Sequence, residues 1–255
     1  MTVVAGRSKK APTLGLVAPA SRASDEILCR GREILFELNI AVKEFGLAEP
    51  AFGNFSASDR IRRASLEQAF LDEEVDAVLC VRGGYGSGRI VDVLDFDHIL
   101  LHSKPFIGYS DITLLLHALH RRGGTKLFHG PMLVDLVKYR DPRTIASLLN
   151  VVSGAQTDIR FTPEQYGVTV AATGFASGPL IGGNLAVLVT TLGTSDFNSP
   201  EEAIVFLEDT GEFLYRIDRN LDHLRRAGYF DRISGLFLER CWLRTHVSRT
   251  QSASN

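Results

Sequence analysis

Short apolar runs alternate with amphipathic stretches along most of the chain. Thr13–Ala18 (TLGLVA) has the length and continuity of a buried strand and ends at Pro19. Ser24-Asp25-Glu26 can cap a helix whose apolar positions, Ile27, Ile34, Leu35, Leu38 and Val42, recur at helical spacing. Ala51–Phe55 fits a short second strand, and Ser58-Asp59 opens a helix through Leu71 with Ile61, Ala64, Ala69 and Phe70 on or near one side. Ala77–Val81 and Pro105–Tyr109 are two further buried-strand runs. Each opens into a glycine-bearing turn with a helical pattern behind it. Lys126–His129 reads as another strand and Pro131–Val137 as a short helix. Regular alternation of strand and helix predicts an α/β fold with a parallel, doubly wound sheet.

The pattern changes after Asp141–Val152, a helix with Pro142 in its first turn, where proline is tolerated. Glycines and prolines punctuate residues 153–178, which read as a linker between domains. Beyond it come a Gly-rich turn at Pro179–Asn184 and a helix over Leu185–Leu192. An apolar strand over Ala203–Leu207, a helix over Tyr215–Ala227 with Ile217, Leu221 and Leu224 on one face, and a strand at Gly235–Leu238 follow. The expected organisation is an N-terminal α/β domain over 1–152 and a smaller C-terminal α/β domain over 179–239, read as incomplete. Residues 240–255 have no acidic residue and a serine-rich end. They read as a tail, or as sequence foreign to the fold.

Composition narrows the function classes. A hydrophobic content of 45% and a charged content of 23% are ordinary for a globular protein. The net charge of −2 makes no electrostatic case for nucleic acid or an anionic membrane as partner. Three cysteines, Cys29, Cys80 and Cys241, are too scattered for a disulfide framework or a CxxC metal pair. No apolar stretch approaches a membrane span and no signal-like core follows Met1–Lys10, so a cytoplasmic protein is expected.

The chemistry concentrates after the two central strands. Gly108-Tyr109-Ser110-Asp111 sets a serine between strand and helix, the setting of a nucleophile elbow. Ser110 is equally an ordinary N-cap for an Ile112–Leu119 helix. Gly83–Gly88 either brings backbone close to a ligand or is a plain flexible loop. It is not G-x-G-x-x-G, and no Gly-Lys-Ser/Thr follows, so nucleotide motifs fail. No H-E-x-x-H exists. His117 and His120 lack a carboxylate on their helix face and are expected to sit partly solvated beside Arg121 and Arg122. Glu208 closes an apolar strand and is either a functional carboxylate or a partner for Arg216 or Arg219.

Taken in order, RGGYG, KPFIGYSD, FHGPM, GGNL and FLED…YRIDR make the chain similar to the serine LD-carboxypeptidase family over roughly Thr13 to Leu238. That family includes the murein tetrapeptide carboxypeptidases and the microcin-C immunity peptidases. The resemblance implies hydrolysis of an L,D-peptide bond in a murein-derived peptide, without cofactor or metal, by a cytoplasmic homodimer. It makes Ser110 the nucleophile and Glu208 the carboxylate that holds a catalytic histidine. Backbone N–H groups of Gly84 and Asp111 become the oxyanion hole, Arg82, Gly83, Tyr85 and Asn184 the substrate contacts, and His129 a structural residue. No segment matches the family's glycine-rich, histidine-bearing motif. His246 has the wrong neighbours and His223 has no counterpart, so the resemblance assigns no base. Two alternatives follow: a non-catalytic relic or peptide-binding module, and a peptidase acting on microcin-like peptide-nucleotides.

Overall fold

A computed structural model describes residues 11–154, 169, 171, 173–239 and 242–243. Most of the 153–178 passage and the 240–255 tail, His246 included, lie outside the described residues. The chain divides into two compact units, one running to Phe175 and including Gly193–Asn198, the other formed by Ala176–Leu192 and the chain from Ser199 on.

In the first unit, β1 (Thr13–Val17), β2 (Ala41–Phe45), β3 (Ala77–Cys80), β4 (Phe106–Gly108) and β5 (Leu127–His129) form one sheet in the order β2-β1-β3-β4-β5. Every pairing is parallel. Alternate residues of the strands point to opposite faces, and each face has its own core. Val78, Cys80 and Phe106 pack with Leu66, Phe70 and Leu115, from α2 (Asp59–Leu71) and α4 (Thr113–Arg121). Leu14, Leu16, Leu79 and Ile107 pack with Ile34, Leu133 and Leu148. Those three belong to α1 (Asp25–Glu37), α5 (Leu133–Lys138) and α6 (Pro142–Val152), while α3 (Phe96–Leu101) adds Ile99 to the first face. Helices on both faces make the sheet doubly wound, as the alternation predicts. Full burial of each large side chain is worth roughly 1.5–3 kcal/mol.

Local chemistry sets the helix ends. The Ser24 side chain accepts a hydrogen bond from Ile27 N, and Asp141 accepts one from Thr144 N ahead of Pro142. Two expectations fail nearby. The first helix does not reach Val42: it stops at Glu37, the chain turns through Asn39 at φ 57°, and Val42 lies on β2 opposite Leu14. Asparagine tolerates that left-handed conformation better than most residues. Ala51–Phe55 is not a strand, for Phe52 and Phe55 close a small turn on each other and Phe55 bridges Ser21. The buried side of α2 is Arg62, Ser65, Leu66, Ala69 and Phe70, rotated from the expected one.

The second unit is built on a three-stranded parallel sheet, β6 (Leu180–Asn184), β7 (Ile204–Glu208) and β9 (Gly235–Leu238), in the order β6-β7-β9. A two-stranded pair joins β8 (Thr210–Glu212) to β10 (Trp242–Leu243). The helices are α7 (Leu185–Thr190) and α8 (Leu214–Arg226), the latter burying Ile217 and Leu224. Of Pro179–Asn184, expected to be a turn, Leu180–Asn184 form the strand β6. Gly182 is there because the backbones crowd: a Cβ on it, at φ 149°, would overlap the Phe206 carbonyl oxygen. Among the described residues, no helix is long and apolar enough to cross a membrane.

Candidate active site

The first unit's site forms at the carboxyl ends of β3 and β4, neighbours in the sheet. Tyr109 is extended at φ −150°, and Ser110 then turns sharply at φ 61°. A left-handed conformation costs a non-glycine residue of order 1–2 kcal/mol, so packing around the turn must enforce it. Gly108 permits the tight reversal, because a Cβ there would sit 2.9 Å from the Ile112 side chain. A 3-10 turn over Ser110–Ile112 leads into α4, and no side chain caps either segment. Ser110 is therefore an elbow and not an N-cap.

The Ser110 hydroxyl faces the loop that follows β3. A Cβ built on Gly83 would lie 3.0 Å from Ser110 Cβ and 3.2 Å from Oγ, so only glycine lets the two turns meet without displacing one. Gly84 has φ 109°, and a Cβ there would collide with the Ser21 hydroxyl. Ser21 N donates to Gly83 O at 3.3 Å, and Tyr85 N donates to Ser21 Oγ at 3.2 Å. Asp111 N sits in the first turn after the serine, where backbone donors have no acceptor within the helix.

Asp111 does more than offer its backbone. Its buried carboxylate accepts a hydrogen bond from Ser87 N at 2.8 Å, and Ser87 Oγ donates to the Asp111 carbonyl at 2.7 Å. Burial raises the Asp111 pKa, against the pull of the Ser87 hydrogen bonds and the Arg62 charge. The residue after the serine thus ties the elbow to the glycine loop. Arg62, almost wholly buried, donates through Nη1 to the carbonyls of Pro19 and Gly86 and through Nη2 to Asp59. Sequence reasoning missed both roles. The signal for Arg62 was a lone arginine in register with Ser65, Leu66 and Ala69, on the apolar face of its helix.

Of the expected substrate contacts, Gly83 is buried against Ser110 and Tyr85 is exposed on the loop. Arg82 is half-buried and donates from Nη1 to Arg22 O at 3.0 Å. His129 stands behind the elbow, its ring 5.8 Å from that of Tyr109, whose hydroxyl donates to Asp135. Burial, with His117 nearby, lowers the His129 pKa to about 4, which suits the structural role. The expectation of partly solvated histidines fails for His117, which is buried. Asn198 Nδ2 lies 3.2 Å from His117 Nδ1, and His120 Nδ1 lies 2.9 Å from Asn198 Oδ1. With Arg122 pairing Asp196 at 2.7 Å, these bonds hold Gly193–Asn198 on α4.

In the second unit Glu208 closes β7, opposite Asn184 on β6. Asn184 caps α7 by accepting from Val187 N, and its amide donates to Asp209 at 3.3 Å. Burial first, then the nearby Asp209 and Glu239 charges, raise the Glu208 pKa to about 7, while a hydrogen bond from Asn184 pulls it down. Arg216 pairs instead with Glu212, and Arg219 lies over the Tyr215 ring, so neither serves as the alternative partner proposed for Glu208.

Residues 14–130 match the LD-carboxypeptidase N-terminal domain and residues 177–254 the LD-carboxypeptidase C-terminal domain. The second match runs past Leu238, where the resemblance drawn from motifs ends. A "probable murein peptide carboxypeptidase" of Bacillus subtilis is 38% identical over 90% of this chain and 72% of its own length. The murein tetrapeptide carboxypeptidase of Pseudomonas aeruginosa is 32% identical over 82% of this chain and 69% of its own. The crystal structure of muramoyltetrapeptide carboxypeptidase from Oxalobacter formigenes superposes with a TM-score of 0.79 at 26% identity, covering 91% of this chain and 78% of that one.

Proposed function

Because the chain belongs to the LD-carboxypeptidase family, we propose that it is a serine carboxypeptidase hydrolysing the L,D-peptide bond of murein tetrapeptide and releasing the terminal D-amino acid. The observation that carries the assignment of roles is the left-handed Ser110, held with its hydroxyl against the glycine loop.

In the mechanism that fits this arrangement, Ser110 Oγ attacks the scissile carbonyl and yields its proton to a base. Negative charge develops on the carbonyl oxygen, where the backbone N–H groups of Asp111 and Gly84 would receive it. Both are fixed by surrounding hydrogen bonds before substrate arrives, so little reorganisation is required during reaction. The D-amino acid departs with a proton, leaving an ester on Ser110 that water cleaves. Glu208 takes the part of the carboxylate that orients a basic histidine, a residue that the resemblance leaves unassigned. Arg82 and Tyr85 contribute substrate contacts from the glycine loop, and Asn184 supports Glu208. A homodimer acting in the cytoplasm on peptides recycled from the wall suits this substrate class.

The test is release of D-alanine from murein tetrapeptide by the 255-residue chain and its Ser110→Ala variant. Release should fall about 10⁶-fold on losing the nucleophile. Equal release by both proteins would sink the acyl-enzyme mechanism. Loss on His246→Ala would identify the base.

A further inference from the structure

We propose that Arg62 positions the oxyanion loop for catalysis, a role that rests on the acyl-transfer reading of Ser110. The Arg62 side chain is 0% exposed. Its guanidinium joins three segments distant in sequence. Nη1 donates to Pro19 O at the end of β1 and to Gly86 O at 2.8 Å, and Nη2 donates to Asp59 at 2.5 Å. Asp59 also takes two donors from Arg89, at 2.7 and 3.0 Å. The Phe55 ring lies 4.8 Å from the guanidinium carbon. Gly86, at φ 137°, is pressed into this corner: a Cβ there would lie 2.9 Å from Arg62 Nη1 and 2.8 Å from the Phe55 ring.

The loop is thus gripped at two adjacent residues, Gly86 by Arg62 and Ser87 by Asp111. Gly84, two residues earlier, is exposed and held through its neighbours by Ser21. Without the Arg62 grip, Gly86 O keeps only the Arg89 N bond at 3.1 Å, which lies within the same segment, and the Gly84 N–H is held less firmly relative to Asp111 N. A buried guanidinium is costly to desolvate and is not by itself evidence of stabilisation. Here its donors go to loop carbonyls that no other described side chain reaches. Lysine keeps the charge but lacks the planar fork needed to serve several acceptors at once.

The test compares Arg62→Met, Arg62→Lys and Asp59→Asn with the full chain, and with Arg60→Ala, an exposed arginine on the same helix, as control. Turnover of murein tetrapeptide should fall about 10²-fold in Arg62→Met and about tenfold in Arg62→Lys, with KM changed less than about twofold. Amide exchange should quicken across Gly83–Gly88 and stay unchanged across Ala77–Cys80, and Arg60→Ala should behave as the unaltered chain. If Arg62→Met does not fold, Arg62→Lys and Asp59→Asn carry the same comparison. Folded variants with lower melting temperatures but unchanged turnover and loop exchange would overturn the proposal. If the unaltered chain releases no D-alanine, the functional reading fails on its own. Loop exchange then still decides whether Arg62 holds the loop, and unchanged exchange overturns the positioning role.

Discussion

Burial, with Asp209 and Glu239 close by, raises the Glu208 carboxyl from 4.5 to about 7, against a hydrogen bond from Asn184. The folded chain therefore holds this proton more tightly than the unfolded chain does. The resulting stability is present in full below pH 4.5 and is lost as pH rises through about 7. The whole effect amounts to about 3 kcal/mol at most. Glu208→Gln, a permanent mimic of the protonated form, should be more stable than the unaltered chain at pH 8 and equal to it at pH 4. Urea midpoints at the two pH values measure this. The proposed chemistry asks for the opposite state, since only the carboxylate can orient and stabilise a protonated histidine. Turnover should therefore rise through about pH 7 as Glu208 ionises, and Glu208→Gln should be slow at every pH. A rate profile flat from pH 5 to 9 would remove Glu208 from the mechanism.

At the scale of elements, the two sheets are assembled on different terms. In the first unit β1, β3 and β4 are buried runs with cores on both faces, so no single residue dictates their pairing. In the second unit β6 passes so close to β7 that Gly182 admits no side chain. Gly182→Ala should destabilise the protein by about 3 kcal/mol, combining backbone strain with overpacking, each worth roughly 1–3 kcal/mol. Thermal unfolding would register it, and a melting temperature unchanged by the substitution would show that β6 does not need this approach. The glycine loop obeys the same rule for another end: Gly83, Gly84 and Gly86 are packed against Ser110, Ser21 and Phe55 so that backbone, not side chain, lines the space beside Ser110.

For the whole molecule, the apolar surface of the second unit has a consequence in solution. Among the described residues β9 is an edge of its sheet, and its successive residues Leu236, Phe237 and Leu238 are exposed. Successive strand residues point to opposite faces, so both faces of this edge meet water. Leu180 on β6 and Leu214 on α8 are exposed too. An apolar strand edge is a ready template for pairing with another chain. Sedimentation should show concentration-dependent self-association, weakened by Phe237→Lys. A monomer at all concentrations would show that this edge is not used for pairing.

How much of this was legible in the sequence depended on how local the cause was. Apolar runs at Thr13–Val17, Ala77–Cys80 and Phe106–Gly108, and the Ser24 cap, carry their cause within a few residues and are legible in the sequence. β2 escaped because an edge strand half in water need not be apolar, and Ala41–Phe45 contains Lys43 and Glu44. β6 escaped because Gly182 and Gly183 read as a turn, whereas the facing Phe206 backbone explains Gly182. The order of motifs was enough to indicate the family, but Ser110 by itself suited a cap as well as an elbow. Its left-handed backbone is enforced by Ile112 packed over Gly108 and by the approach of Gly83 from the next strand. The grips of Arg62 on Gly86 and of Asp111 on Ser87 span 24 residues each. The sequence by itself determined the strands, helices and chemical groups, because hydrophobic periodicity and capping act over a few residues. Only the tertiary structure decided which backbone donors stand beside the serine, because hydrogen bonds and close packing between distant segments exist only once the sheet has brought them together.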